Sequence, residues 1–544
     1  MESKISFLKS LFIGKVNNDL IFPYPKMKND DIETVNMLID SIDKFAKESI
    51  ISSEIDEQAN IPKIIVDQFK ELGLFGLIIP EEYEGFGFTQ SMYNRIMEKL
   101  SSTDSSCSLL IGAHMSIGMK AILLFGNEDQ KKKYLPKLAS GEYIAAYALT
   151  EPGSGSDAQS IQTKAELSVD KSHYILNGSK IWITNGGIAD LFTVYAQTGA
   201  GISSFIVTRD MGVQSGKPEK KMGIRGSNTT TLFFENVKVP AENRIGDENK
   251  GFKVAMEVLN QGRLGLSAGC LGAAKEALKL ALGHSKKREQ FNEPIIHFEL
   301  IQEKLSRMAV SNFIMESMIY LTSHLCDTKK VDFSLESAIC KIYSTESLWQ
   351  TVNDALQIAG GLGFMQEYPY ERMVRDARIN MIFEGSNEIM RAFIALQGAK
   401  SVGNELMAGK LDEIKENKAE LKEVHPLLKD AEEAFDDGSR LLKEAAINSV
   451  MEYQFDIVKK EFVQERITSM AVSLYGLVAG ISRCESIIKE LGEEKSEYWL
   501  SLLKIFTEDA KKQIKESFSK LKDPLDSVKN NIVKTLAENE TLLN

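Results

Sequence analysis

Apolar residues recur at helical spacing through the first quarter of the chain. "IETVNMLIDSIDKFAKESI" (32–50) and "IPKIIVDQFKELGLFGL" (61–77) each predict an amphipathic helix. "IIPEEYEGFGFTQ" (78–90) breaks the period with Pro80, Gly85 and Gly87 and reads as a loop. "LLIGAHMSIGMKAILLFG" (109–126) resumes an apolar helix dotted with small residues. From about residue 145 the texture changes to strands. "HYILNGSKIWITNGG" (173–187) holds two β-friendly runs around Asn177-Gly178, a pair that signals a hairpin turn. "LFTVYAQTG", "SSFIVTRD" and "NTTTLFFENVKVP" continue the strand pattern to residue 240.

Long helical runs return at 252–288, 298–328 and 335–361, with continuous apolar faces that imply a helix bundle. Residues 401–544 are more charged and helical throughout. They contain an echo: "IQEKLSRMAVS" (301–311) recurs as "VQERITSMAVS" (463–473), identical at six of eleven positions. Partial duplication of the bundle is the preferred reading, and chance likeness between amphipathic helices is its competitor. The expectation is an α+β fold, mainly α. It comprises an N-terminal extension (1–31), an N-terminal helical domain (32–144) and a central β-barrel-like domain (145–247). A four-helix-bundle domain (248–400) and a C-terminal helical domain (401–544) follow.

Bulk properties narrow the function classes. At 544 residues several domains are expected, and 43% hydrophobic with 26% charged residues describes an ordinary globular protein. A net charge of −12 argues against a nucleic-acid-binding surface. The five cysteines (107, 270, 326, 340 and 484) form no CxxC pair, which suits a reducing compartment. The six histidines show no ligand spacing, so no metal site is expected. No run of about 18 uninterrupted apolar residues occurs, and membrane contact is expected to be peripheral at most. The cytoplasm is the expected location, with a mature organellar form as the alternative.

"YALTEPGSGSDAQSIQTKA" (147–165) contains Gly153-x-Gly155-x-x-Ala158, which imitates a dinucleotide-binding fingerprint. That fingerprint needs a helix immediately after the turn, and the residues here read as further strands. The nicotinamide reading fails, yet a polar backbone turn directly after a strand remains. Three more segments stand beside it: "KIWITNGG" (180–187), "KKREQF" (286–291) and "AGGLGFMQEYPYERMVRDARINMIFEGSNEIMR" (359–391). In this order they resemble the acyl-CoA dehydrogenase flavoprotein family across residues 32–400. "FPYP" (22–25), "GAHMSIGMKAILLFG" (112–126), "FEGSNEIMRAFIALQG" (383–398) and the C-terminal extension resemble its very-long-chain branch most closely.

The resemblance implies FAD as prosthetic group. Tyr147, Leu149, Thr150 and Gly155 match the turn that lines the flavin, and Ser156 matches a position near both the pyrophosphate and acyl-CoA. Trp182 and Thr184 match a second flavin-contacting strand. Arg288, Gln290 and Phe291 match a segment reaching the FAD of a neighbouring subunit, where the arginine fork suits phosphate. Gln357, Gly360 and Gly361 approach the same cofactor, and sharing it implies a homodimer. Ser386, Asn387 and Glu388 open the next helix near FAD. Asn260, Arg263 and Gly385 join Ser156 as acyl-CoA contacts.

Glu384 is the implied catalytic base. The reaction removes an α proton from an acyl thioester while a β hydride leaves, giving a trans-2-enoyl-CoA as in fatty acid β-oxidation. A solvated carboxylate of pKa about 4.3 is a weak base for so poor a carbon acid, so burial must raise it. Some branches carry the base in the segment matching "NQGR" (260–263), but Gly262 stands there, which leaves Glu384. Gly112, Ala113 and Gly118 are expected at the closed end of a long acyl pocket. Electron-transferring flavoprotein is the implied acceptor. An acyl-CoA oxidase using dioxygen and a non-enzymatic assembly or scaffold paralogue are the alternatives.

Overall fold

The computed structural model describes residues 5–422 and 424–539, so the outermost ends of the first and last predicted segments lie outside the described residues. By contacts it divides into two compact units, residues 25–329 with 340–386, and residues 1–24 with 330–339 and 387–544.

In the first unit the loop between the early helices is followed by Gln90–Thr103 and Ser105–Gly112, each started by a side chain that captures a free backbone N–H. Thr89 accepts from Met92 N, and Asp104 from Cys107 N. A π-helical turn, Ala113–Gly118, interrupts the apolar run before Lys120–Phe125. Asn127 and Gln130 form a reciprocal capping box at the start of Glu128–Ala139. Helices return with Gly251–Lys287, 37 residues long, and Glu299–Asp327.

Between them lies the β region, with strands β1 (Ala145–Ala148), β2 (Lys164–Leu167), β3 (His173–Thr184), β4 (Leu191–Thr198), β5 (Gly201–Thr208), β6 (Gln214–Ser215), β7 (Thr229–Pro240) and β8 (Arg244–Ile245). Their order is β6-β7-β3-β2-β4-β5-β8, with β1 added in parallel to β4. Inward residues such as Leu176, Phe192, Val194, Phe205, Leu232 and Val239 form its core.

Two expectations are corrected here. The sheet is open rather than barrel-like: β6 and β8 end it as two-residue strands and do not pair with each other. Short edges blunt an open sheet without closure. Nor does Asn177-Gly178 turn a hairpin, because β3 runs straight through it. Gly178 is required by a close approach instead: a Cβ there would sit 2.5 Å from Thr163 Oγ1. The register against β7 slips at this point, where Asn236 N donates to Asn177 Oδ1 at 2.8 Å.

The second unit is helical. Asn387–Met407, Lys429–Tyr453, Glu461–Leu491 and Glu497–Ser519 supply its long helices. Chain residues near the N-terminus belong to it: Phe7, Leu8 and Leu11 of the short helix Phe7–Leu11 are buried. Ser6 Oγ and Leu8 N both donate to Glu336 Oε1, at 3.1 and 2.9 Å. The two echo segments each begin at the third residue of a long helix, Glu299–Asp327 and Glu461–Leu491. Equivalent cations in them, Lys304 and Arg466, pair with Asp354 and Asp526. Among the described residues two helical stretches, Ser105–Phe125 and Glu461–Leu491, are long and apolar enough to cross a membrane, and both are mostly buried in the fold.

Candidate active site

Glu384 and Gly385 both have positive φ, 58° and 91°. Glycine adopts this region freely, whereas a glutamate there is strained and must be held by its surroundings. The holding groups are two cations. Arg263 Nε, from the helix Gly251–Lys287, donates to the Glu384 carbonyl at 3.1 Å. Lys341 Nζ, from the helix Ser334–Ala359, donates to the Gly385 carbonyl at 2.7 Å. Both side chains are buried. Arg263 also donates through Nη1 to Asn260 Oδ1 at 2.9 Å.

The Glu384 carboxylate is aimed into the protein, and its Oε2 is buried with no hydrogen-bond partner. Leaving an acceptor unsatisfied there costs free energy, which a ligand can recover. Burial pushes the Glu384 pKa up, and the charges of Arg263 and Lys341 oppose that rise.

A cavity of about 260 Å³ opens beside this carboxylate. One wall is a stripe on the helix Gly251–Lys287, through Gly262, Gly265, Gly269, Ala273, Glu276 and Leu280. The spacing of three and four is that of one helical face. The lining also includes Ser105, Ser108, Gly112 and Ala113. Gly118 takes no part in it; a Cβ there would collide with Ala145, so its smallness serves packing.

The turn after β1 is anchored by an ion pair that sequence reasoning missed. Glu151 Oε1 meets Lys180 Nζ at 2.7 Å, and both are buried. Glu151 also accepts from the backbone N–H groups of Gln162 and Thr163, while Lys180 donates to the Leu149 carbonyl. Burial disfavours the Glu151 charge, but Lys180 together with the Thr163 and Gln162 donors outweighs it and holds the carboxyl below its usual range. Thr150 is half-buried and its carbonyl accepts from Ile181 N. Leu149 is buried, whereas Gly155 and Ser156 are exposed, with open space above Gly155. Tyr147 Oη reaches the Ala255 carbonyl at 3.4 Å.

Trp182 sits on a bulge of β3, at φ 55°, where the pairing with β7 slips between Lys180 and Ile183. The bulge turns the indole outward, leaving it 64% exposed, while Thr184 faces the Glu384 cavity. An exposed indole beside a free backbone turn fits a flat aromatic ring system, and the open space at Gly155 admits close approach to its polar tail.

The remaining predicted residues are not part of the cavity. Arg288, Gln290 and Phe291 are exposed just past the end of the helix Gly251–Lys287, with Phe291 89% exposed at φ 55°. Gln357, Gly360 and Gly361 are also exposed, and both glycines have open space where a Cβ would be. Ser386 is half-buried, and the helix Asn387–Met407 begins with buried Asn387 and exposed Glu388. Asn260 and Arg263 are joined to each other and, through Arg263, to the Glu384 turn. Among the described residues no group of three or more His, Cys, Asp or Glu could hold a metal ion.

Residues 33–142, 146–237 and 249–398 match the N-terminal, middle and C-terminal domains described for acyl-CoA dehydrogenases. The chain is 39% identical to the bovine very long-chain specific acyl-CoA dehydrogenase of mitochondria, covering 95% of this chain and 85% of that protein. A crystal structure of an acyl-CoA dehydrogenase complexed with FAD from Bacillus anthracis superposes with a TM-score of 0.84 at 34% identity, covering 95% of this chain and 92% of that one. A chain in a structure titled as the electron transferring flavoprotein of Acidaminococcus fermentans matches at 37% identity and TM-score 0.65, covering 69% of this chain and 98% of that one.

Proposed function

The chain belongs to the acyl-CoA dehydrogenase family and uses FAD, and from that premise we propose that it oxidises long and very long acyl-CoA thioesters with Glu384 as the base. The unpartnered, buried Oε2 of Glu384 at the head of the cavity is the observation that carries this reading. In it, Oε2 removes the α proton of the thioester, and the Glu384 backbone N–H donates to the thioester oxygen as charge develops there. Bound FAD supplies the acceptor for the β hydride. Arg263 and Lys341 hold the positive-φ turn that carries Glu384.

The stripe supports the chain-length reading. From Gly262 to Leu280 the helix rises about 27 Å. An extended aliphatic chain of roughly twenty carbons has that reach. Small residues keep the first part of it, about 16 Å to Ala273, clear: Gly262, Gly265 and Gly269 present no side chain, and Ala273 only a methyl. The exposed Trp182, Arg288, Gln290, Phe291, Gln357, Gly360 and Gly361 are assigned to FAD, the last five with Arg288 across a homodimer interface. An apolar Phe291 left 89% exposed suits such an interface. Electron-transferring flavoprotein is the proposed acceptor, and free cysteines throughout suit the cytoplasm.

The test is anaerobic bleaching of the yellow holoenzyme by butyryl-, octanoyl-, palmitoyl- and eicosanoyl-CoA. Bleaching that is fastest with the two longest substrates is expected. No bleaching by any of them contradicts the activity, and a preference for butyryl-CoA contradicts the chain-length assignment. Rapid aerobic turnover without an added acceptor marks an oxidase instead.

A further inference from the structure

Two consecutive carbonyls, of Glu384 and Gly385, are each capped by a buried cation from a different helix. Arg263 belongs to a segment that the family motifs already mark. Lys341 does not: it lies inside "SAICKIYST", an apolar helical run where a lysine reads as a surface residue reaching for water. It is fully buried instead, with its ammonium 2.7 Å from the Gly385 carbonyl. Burying an ammonium is costly. We propose that Lys341 is a positioning residue for the reaction, locking the left-handed Glu384–Gly385 turn and setting the charge state of the Glu384 carboxylate. This rests on Glu384 being the base.

The electrostatics around the turn are compact. Arg263, Lys341 and Tyr147 face Glu384, while Cys270, Arg263, Glu384 and Glu346 face Lys341. Burial lowers the Lys341 pKa to about 8, so the amine is still largely protonated near neutrality. Its positive charge opposes the rise that burial imposes on Glu384. Removing it therefore raises the Glu384 pKa further and lets a strained turn relax toward ordinary backbone angles.

The experiment uses full-length holoenzyme as wild type, Lys341→Met and Lys341→Arg. Anaerobic bleaching by a long acyl-CoA is followed against pH, and the Glu384 carboxyl stretch is titrated by difference infrared spectroscopy, with Glu384→Gln identifying the band. Lys341→Met should bleach about 10²-fold more slowly, with the acidic limb of the rate profile and the infrared titration both moved to higher pH. Lys341→Arg, which restores the charge, should recover most of the rate and return both titrations. An unchanged rate and titration in Lys341→Met overturns the proposal. So does an equal loss in both variants with the Glu384 titration unmoved, which is what a purely structural lysine predicts. Should Lys341→Met not retain FAD, the infrared titration of its apoprotein against wild-type apoprotein decides by the same shift. That titration reads Lys341 even if no acyl-CoA bleaches the wild type, which would defeat the functional assignment separately.

Discussion

A Cβ atom on Gly262 would stand 3.3 Å from Glu384 Oε2 and 2.9 Å from Ile117 Cγ2. The long helix therefore has no side chain where the carboxylate of the neighbouring turn needs room. Gly262→Ala must displace either Ile117 or Glu384. An error of about 1 Å in a reacting group costs on the order of 10²-fold. Gly262→Ala should retain FAD and global stability while slowing anaerobic bleaching by at least about tenfold. Stopped-flow absorbance measures it, and a wild-type rate would show that the carboxylate has slack.

The stripe predicts a second effect, on substrate length. Ala273 stands eleven residues beyond Gly262 on the cavity wall, about 16 Å along the helix. Ala273→Phe should close the cavity there. Activity with palmitoyl- and eicosanoyl-CoA should fall well below that with octanoyl-CoA, which should be nearly unchanged. An equal loss for all three would place the acyl tail elsewhere.

Glu151→Ala removes one member of a buried pair and leaves the Lys180 amine buried with the Leu149 carbonyl but without its carboxylate. Breaking such a pair typically costs about 3–5 kcal/mol. Chemical unfolding should report a loss on this scale. Retained FAD should also decrease, because Glu151 anchors the turn by accepting from Gln162 N and Thr163 N.

Glu336 gives a pH dependence. Burial raises its pKa from 4.5 to about 7, opposed by the donors Leu8 N and Ser6 Oγ. The folded chain thus binds a proton more tightly than the unfolded chain, so the stability from this group is complete below pH 4.5 and declines until about pH 7. The total is on the order of 3 kcal/mol. Unfolding midpoints of Glu336→Gln should lack this part of the decline between those limits.

Much of this was legible in the sequence because the information is local. The 3.6-residue period locates the helices, and "FEGS", read together with the other family motifs, singles out Glu384 as the expected base. What escaped is non-local. Lys341 lies 44 positions from the carbonyl it holds, and Glu151 lies 29 from Lys180. No pattern along the chain distinguishes a buried lysine from a surface one. Asn177-Gly178 misled for the same reason: the glycine answers to Thr163 across the sheet, not to its neighbours. An open sheet and a closed one share the same alternation, so the missing closure was also invisible.

The most direct test of the account is Glu384→Gln, which keeps the shape of the side chain and removes its basicity. The variant should purify yellow, with wild-type FAD content, and an anaerobic mixture with palmitoyl-CoA should bleach at least about 10²-fold more slowly than wild type. Bleaching at the wild-type rate would contradict the assignment of Glu384 as the group that takes the α proton.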